Sequence, residues 1–272
     1  MPKVEVAGLT INYDVQGQGD PLLLIPYLAA DHACYAFQLA DYTQHFTCIS
    51  VDLTGSGESD MPAGPYSTVG YADQLAGFLS AIGVESAHVA GVSLGSAVGT
   101  HLAARHPGRV RTLTLNSAWD TTDAFLRVCL ENWRALARGL PNVADAVILG
   151  IFPWCFTPEM YVERPEFVTS LEEFVRSRPV QPLEAFLAQS QAVIEHDARP
   201  VLKDIAAPTL ITDGARDAVT STRFVGPLTA GIGNAEVVVF DHLAHAGLHE
   251  DPTTFNQATL EFLLRHSGSA TG

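Results

Sequence analysis

Along the first third of the chain, short apolar runs alternate with amphipathic stretches. Val4-Glu5-Val6 and Leu9-Thr10-Ile11-Asn12-Tyr13 alternate with period two, the pattern of a half-buried antiparallel hairpin at a sheet edge. Leu22-Leu23-Leu24-Ile25 and Thr47-Cys48-Ile49-Ser50-Val51 are short apolar runs bounded by turn residues. Such runs suit central parallel strands covered by helices on both faces. Residues 34–42 and 69–82 read as helices; in the second, Leu75, Phe78, Leu79 and Ile82 recur three or four apart. His88-Val89-Ala90-Gly91 reads as a strand that passes at once into a helix over 94–104, ended by His106-Pro107-Gly108, and residues 110–115 form the next strand. This β-α-β-α-β succession predicts a parallel sheet with right-handed crossovers.

The pattern then changes. Residues 119–199 carry helical periodicity and aromatics without a convincing strand. Strand signals resume at Thr209-Leu210-Ile211-Thr212 and Ala235-Glu236-Val237-Val238-Val239-Phe240. A last helix over 253–265 leads into a Ser-Gly-Ser-Ala-Thr-Gly tail that reads as frayed. The predicted organisation is an α/β core made of residues 1–118 and 200–272, interrupted by a helical insertion over 119–199. Ligands of open α/β sheets bind at the carboxyl ends of the strands, so an insertion leaving from such an end is expected to become a lid.

Composition narrows the partners. The 272 residues are 47% hydrophobic and 17% charged, enough for a large core and unlike a disordered chain or a coiled coil. Fifteen Lys and Arg against thirty Asp and Glu give a net charge of −15. A phosphate backbone or an anionic membrane surface would be repelled, and no basic stripe reverses this locally. Cys34, Cys48, Cys129 and Cys155 are scattered without a C-x-x-C pair, as in a protein of a reducing compartment. The first residues contain no apolar secretory segment, and the apolar stretch 146–156 is too short to span a bilayer and contains Pro153. A soluble, cytoplasmic monomer or homodimer is expected, acting on a small molecule.

The sharpest chemical signal is Gly91-Val92-Ser93-Leu94-Gly95, a G-x-S-x-G between a strand and a helix. A sharp strand-to-helix turn lifts the serine hydroxyl above the sheet, and its neighbours must be small for the backbone to close. The Leu94 N–H then points into the same space at a helix N-terminus. A serine hydroxyl is a weak nucleophile and needs a positioned base with its own orienting partner. Asp217, in the loop after the strand at 209–213, and His245, beyond the last strand, supply these in the order Ser, Asp, His. Asp120 and Asp213 are rival positions for the acid. His242, His245 and His249 also admit a metal-binding reading, but no further motif completes such a site; His242 and His249 read as solvated or structural.

With these residues in place, the chain resembles the α/β-hydrolase superfamily over nearly its whole length. The resemblance is carried by Leu22-Leu23-Leu24-Ile25, Val51-Asp52-Leu53-Thr54-Gly55-Ser56-Gly57-Glu58-Ser59-Asp60, the serine turn, Pro208-Thr209-Leu210-Ile211, Gly214-Ala215-Arg216-Asp217, and residues 245–252 leading into Phe255-Asn256. Within the superfamily it is most similar to the 3-oxoadipate enol-lactonase group and related small-ester hydrolases, through Pro26-Tyr27-Leu28-Ala29-Ala30-Asp31 and Phe152-Pro153-Trp154-Cys155-Phe156-Thr157-Pro158-Glu159. The resemblance implies a mostly parallel eight-stranded sheet flanked by helices with a helical lid, and a Ser93, His245, Asp217 triad without a cofactor or metal. It also implies an oxyanion hole built from the backbone N–H groups of Leu28 and Leu94. Pro26-Tyr27 departs from the His-Gly common in the superfamily, Ala29 and Ala30 replace often-glycine positions, and Thr54 stands where many relatives carry Arg.

In and near the insertion lie Phe125, Trp133, Phe152, Trp154, Phe156, Met160 and Phe167. Tyr27, Trp133, Phe152, Trp154 and Phe156 are the residues expected to line an apolar substrate pocket. Arg134 and Arg138 read equally well as solvated helix charges, so no basic cluster clamps a carboxylate. The expected activity is cleavage of a largely apolar carboxylic ester or lactone through an acyl-serine. The alternatives are a catalytically slow small-molecule receptor on the same fold, or cofactor-free C–C hydrolysis, perhydrolysis or oxygenation.

Overall fold

The computed structural model describes residues 1–268, so the last four residues of the predicted frayed tail lie outside the described residues. Eight strands form one sheet: β1 (Lys3–Val6), β2 (Leu9–Gln16), β3 (Asp20–Ile25), β4 (Phe46–Val51), β5 (Ala87–Val92), β6 (Val110–Asn116), β7 (Thr209–Gly214) and β8 (Ala235–Phe240). Their order is β1-β2-β4-β3-β5-β6-β7-β8. The hairpin β1–β2 is antiparallel and β2 runs antiparallel to β4; every later neighbour is parallel. The predicted α/β class and mostly parallel eight-stranded sheet are both present.

Three helices cross between the central strands: α1 (Ala36–Tyr42), α2 (Thr68–Ala81) and α3 (Leu94–Arg105). Between β6 and β7 lie α4 (Ala124–Gly139), α5 (Val143–Ala146), a π-helical turn over Val147–Ile151, α6 (Phe152–Cys155), α7 (Pro158–Glu163), α8 (Pro165–Ser177) and α9 (Leu183–Ile194). Then come α10 (Val225–Gly231), α11 (Gly247–Glu250) and α12 (Pro252–Arg265). Side-chain oxygens define several starts. Ser67 accepts the Gly70 N–H at the head of α2, Asp123 that of Leu126 at α4, and Asp251 that of Thr254 at α12, satisfying amides that no helical carbonyl reaches.

The strand β3 shows how one apolar run serves two layers. Leu23 and Ile25 join the cluster containing Leu75, Phe78 and Leu79 of α2 and Val98 and Leu102 of α3. Leu22 and Leu24 join Tyr42 of α1 and Phe262 and Leu263 of α12 on the other face. All four are fully buried, each contributing about 1.5–3 kcal/mol of hydrophobic stabilisation. The helical segment is tied to the sheet's carboxyl end by polar contacts. Arg178 pairs with Asp31 at 2.8 Å, Gln181 donates to the Gly55 carbonyl at 2.7 Å, and Gln189 donates to Ser56 Oγ at 2.8 Å.

Two elements differ from expectation. The helix anticipated over 34–42 opens as a 3₁₀ turn, His32–Tyr35, because Asp31 caps the Ala33 N–H and starts the coil early. The helix α10 has no counterpart in the sequence reading; its Val225-Gly226-Pro227 start hides a turn that packs Leu228 into the core.

Close packing explains the glycines of the serine turn. A Cβ on Gly95 would stand 2.1 Å from the Ile25 carbonyl oxygen, and one on Gly91 would stand 2.2 Å from that of Gly95. Because the obstacles are backbone, Gly95→Ala is expected to lower unfolding free energy by more than about 2 kcal/mol. Gly108→Ala, where a Cβ meets nothing within 4 Å, is expected to stay within about 0.5 kcal/mol. Urea denaturation of both variants checks the pair.

Candidate active site

Ser93 sits between β5 and α3 at φ 51° and ψ −117°. A non-glycine residue in this region stores about 1–3 kcal/mol of strain, and the surrounding bonds hold it there. The Ser93 N–H donates to the Asn116 carbonyl at 2.9 Å, and the Ser93 carbonyl accepts the Ser96 and Ala97 amides. Below the turn, the Ser96 hydroxyl contacts the Gly91 and Asn116 carbonyls at 2.7 and 2.8 Å, and Asn116 Nδ2 donates to the Gly91 carbonyl at 2.9 Å. Thr212 donates to Asn116 Oδ1, so the ends of β5, β6 and β7 are stitched through buried polar groups.

Asp217 and His245 stand on the loops that follow β7 and β8. The Asp217 carboxylate accepts four donors: the Val219 and Thr220 amides on Oδ1 at 2.6 and 3.0 Å, and the Thr220 hydroxyl and His245 Nδ1 on Oδ2, each at 2.8 Å. A carboxylate has about four lone-pair sites, so this buried charge is fully satisfied. Burial alone would raise its pKa, but the facing imidazole and these hydrogen bonds hold it below the usual aspartate value. For His245, burial disfavours the imidazolium, yet the Asp217 charge and hydrogen bond outweigh it and lift the titration above 6.5. Because a carboxylate only accepts, Nδ1 carries the proton in the neutral ring and Nε2 keeps its lone pair. The Ser117 hydroxyl fixes the His245 carbonyl at 3.0 Å.

Ser93 and His245 line one cavity of about 300 Å³, together with Leu28. Among the described residues, neither the Ser93 hydroxyl nor His245 Nε2 has a protein hydrogen-bond partner. Among the described residues the amides of Leu28, at the cavity, and of Leu94, at the head of α3, likewise lack a protein acceptor. Ala29, next to Leu28, takes φ 62°, the left-handed backbone that a glycine in its place would adopt without strain. Tyr27 also lines the cavity, and its hydroxyl meets His249 Nε2 at 3.1 Å. Burial raises the Tyr27 phenol well above its ordinary pKa and pushes His249 down to about 4, so both are neutral at pH 7.

Apart from Ser170, Thr220 and His249, the remaining wall is apolar. Of the aromatics proposed for a pocket, Trp133, Phe152 and Phe156 line this cavity, whereas Trp154 does not. Trp154 is exposed and lies against Phe125 on the outer surface, with ring centroids 6.5 Å apart. Its removal from the pocket follows from helix geometry: two residues after Phe152, it points about 200° away. Sequence reasoning missed Leu126 and Leu130, which share the buried stripe of α4 with Trp133, and missed Val147 and Leu171. Among the described residues, no Lys, Arg, Asp or Glu lines the cavity. Arg134 instead binds Gln191 at 2.6 Å. Asp120 is buried but does not line the cavity, and its backbone carbonyl accepts the Ala198 amide.

Asp31, His32 and Asp52 place three possible metal-ligating atoms within 4.8 Å of one another. Their atoms are already engaged. Asp52 accepts from Asn12, from the Glu58 amide and from both the backbone and Nδ1 of His32, while Asp31 pairs with Arg178. Burial opposes protonation of His32, and the Asp52 bond overcomes it, raising its pKa. The cluster is a hydrogen-bonded support beyond the end of β4. His242, by contrast, is exposed and pairs with Asp251 at 3.1 Å.

A family model described as alpha/beta hydrolase fold matches residues 20–252. The chain belongs to the α/β-hydrolase family. It is 31% identical to a candidate carbamate hydrolase, RutD, of Azorhizobium caulinodans, over 96% of this chain and 98% of that one. It is 27% identical to 3-oxoadipate enol-lactonase 2 of Acinetobacter baylyi, covering 94% of each. Among solved structures it resembles MGS-M2, an α/β-hydrolase from a Medee basin deep-sea metagenome, with TM-score 0.89 at 20% identity, covering 96% of this chain and 97% of that one. Among the described residues of this hydrolase, no helix is long and apolar enough to cross a membrane.

One carboxyl beside the Asp217–His245 pair has no donor among the described residues. Both Asp213 oxygens are buried without a partner, and burial followed by the Asp217 charge pushes its pKa up from 3.8 to about 7. The folded protein therefore keeps this proton where the unfolded chain releases it, and stability falls as pH rises from 3.8 toward 7. Asp213→Asn stays neutral throughout. Its gain in Tm over wild type should be smallest below pH 3.8, grow through this window and level off above about pH 7. A difference in Tm that does not change with pH would contradict this assignment.

Proposed function

We propose that this hydrolase cleaves an uncharged, largely apolar carboxylic ester or lactone through an acyl-serine intermediate, without a cofactor. Residues 119–199 act as its lid over a core of residues 1–118 and 200–272. The observation that carries the reading is a strained serine and a carboxylate-oriented imidazole lining one largely apolar cavity, with the unengaged amide of Leu28 beside them and that of Leu94 directly after the serine. His245 Nε2 takes the Ser93 proton as Oγ attacks the carbonyl, then returns it to the leaving oxygen. Asp217 holds the reactive tautomer and stabilises the imidazolium. The Leu94 and Leu28 amides receive the developing oxyanion, each worth about 3 kcal/mol of barrier. Hydrogen bonds of this kind often tighten only when substrate is bound, which accommodates the unengaged Ser93 hydroxyl.

The substrate class follows from the walls. With no cation lining the cavity, a carboxylate drawn into it would lose water without gaining a partner, which costs several kcal/mol. A dicarboxylate lactone therefore fits poorly, despite the enol-lactonase relative. The candidate carbamate hydrolase relative makes a neutral aryl carbamate the comparison substrate of choice, because it offers a carbonyl to the same nucleophile. The four cysteines are unpaired and buried, which supports a reducing compartment such as the cytoplasm.

Steady-state hydrolysis of p-nitrophenyl butyrate is expected to exceed that of p-nitrophenyl hemisuccinate by about 100-fold or more in kcat/KM, converted from about 3 kcal/mol of unpaired-charge burial. Comparable rates on the two esters would contradict the substrate reading. Because the base must be neutral and its pKa is raised, kcat/KM should climb with pH through a midpoint above 6.5. A profile flat from pH 5 to 8 would exclude His245 as the base. Asp217→Asn should lower kcat by about 10²–10⁴-fold, while Asp120→Asn stays within about threefold. The reverse ranking would move the acid to the end of β6.

A further inference from the structure

The helix α11 begins two residues after His245 and ends at Glu250, a buried acidic residue outside the triad. Its carboxylate is divided between two distant backbone segments. Oε2 accepts the Ala244 N–H at 2.7 Å, and Oε1 accepts the Thr157 N–H, between α6 and α7, at 2.6 Å. Its own carbonyl accepts Arg164 Nη1 at 2.8 Å. On the other side of His245, the Ala246 amide donates to the Cys155 carbonyl at 2.8 Å. Arg216, which precedes Asp217, pairs with Glu159 at 2.7 Å. Residues 155–164 therefore contact both chain neighbours of His245, directly at Ala246 and through Glu250 at Ala244, and one neighbour of Asp217.

We propose that Glu250 is a positioning residue that fixes the imidazole of His245 by clamping the Ala244 peptide to the lid at Thr157. The inference rests on the reading of His245 as the base. An ionised carboxylate can accept both amides at once, and charge-assisted bonds of this kind are short and directional. Glutamine has one acceptor oxygen, so in Glu250→Gln one amide faces an NH₂ group and one of the two attachments is lost. The lid end of the clamp can also be removed without altering charge. Thr157 has φ −68° and ψ 151°, and Phe156 before it is extended at φ −111° and ψ 150°. Thr157→Pro fits that backbone and deletes the N–H together with the Thr157 hydroxyl, which makes no cap hydrogen bond to α7.

The test compares wild type, E250Q, T157P, their double variant and H245A on p-nitrophenyl butyrate, with Tm and the pH profile of kcat/KM recorded for each. A clamp that aims the base predicts a kcat about 10- to 100-fold lower in E250Q and about 10-fold lower in T157P, with KM within about twofold. The double variant should be no worse than E250Q, since losing either attachment already breaks the one clamp. The pH midpoint should move down toward 6.5 in T157P, as the His245–Asp217 alignment loosens at unchanged charge. A merely structural carboxylate would lower Tm and leave kcat and the midpoint alone. The proposal is overturned by a folded T157P with wild-type kcat and midpoint, whether or not E250Q folds. H245A separates the two levels. Loss of activity in H245A but not in E250Q or T157P removes only the role of Glu250, whereas full activity in H245A removes the base itself.

Discussion

The hydrogen bond between Asp217 and His245 is the constraint around which the rest of the site is arranged. An ionised carboxylate this deeply buried is tolerable only when its oxygens are filled, and here two amides, a hydroxyl and the imidazole fill them. The two amides and the hydroxyl come from Val219 and Thr220, in the same loop as the aspartate, so the acid is held whatever the imidazole does. Asp213 illustrates the contrast within a few residues. Among the described residues it has no donors, so burial and the Asp217 charge delay its ionisation, and it stays protonated well above the usual aspartate range.

The serine side of the site depends on a different economy. The left-handed backbone of Ser93 is unfavourable in isolation, and buried polar groups from α3, β6 and β7 hold it in place. Ser96, Asn116 and Thr212 form that support, and none of them touches the cavity where substrate would sit. Gly91 and Gly95 close the turn because the facing groups are carbonyl oxygens with nowhere to move. The energy stored at one residue is thus distributed over a rigid sheet end, which keeps the hydroxyl presented to the cavity without help from the helical cover.

Much of this was legible in the sequence because it follows from local rules. Apolar runs without alternation marked the doubly covered strands, and the strand–Gly-x-Ser-x-Gly–helix pattern marked the turn. Asp217 and His245 could be paired because parallel strands deliver their following loops to one edge. What stayed hidden depends on contacts remote in sequence or on the rotation of a single helical turn. Phe152 and Trp154 are equally aromatic, and only the direction of α6 sends one inward and the other out. Leu126 and Leu130 face the cavity only because α4 turns one face toward it, which no residue type announces. Glu250 reaches across 93 residues to Thr157, a contact for which no spacing rule exists. Gly226 and Pro227 concealed α10, since neither favours a helix interior.

The central claim is that Ser93 becomes covalently bonded to the acyl group while Asp217 and His245 activate it. The most direct measurement is incubation with a fluorophosphonate, followed by intact-mass determination and peptide mapping. The account predicts one adduct per chain, located on Ser93, absent from Ser93→Ala and formed far more slowly in His245→Ala. An adduct on another residue, or equal labelling of the Ser93→Ala protein, would contradict it.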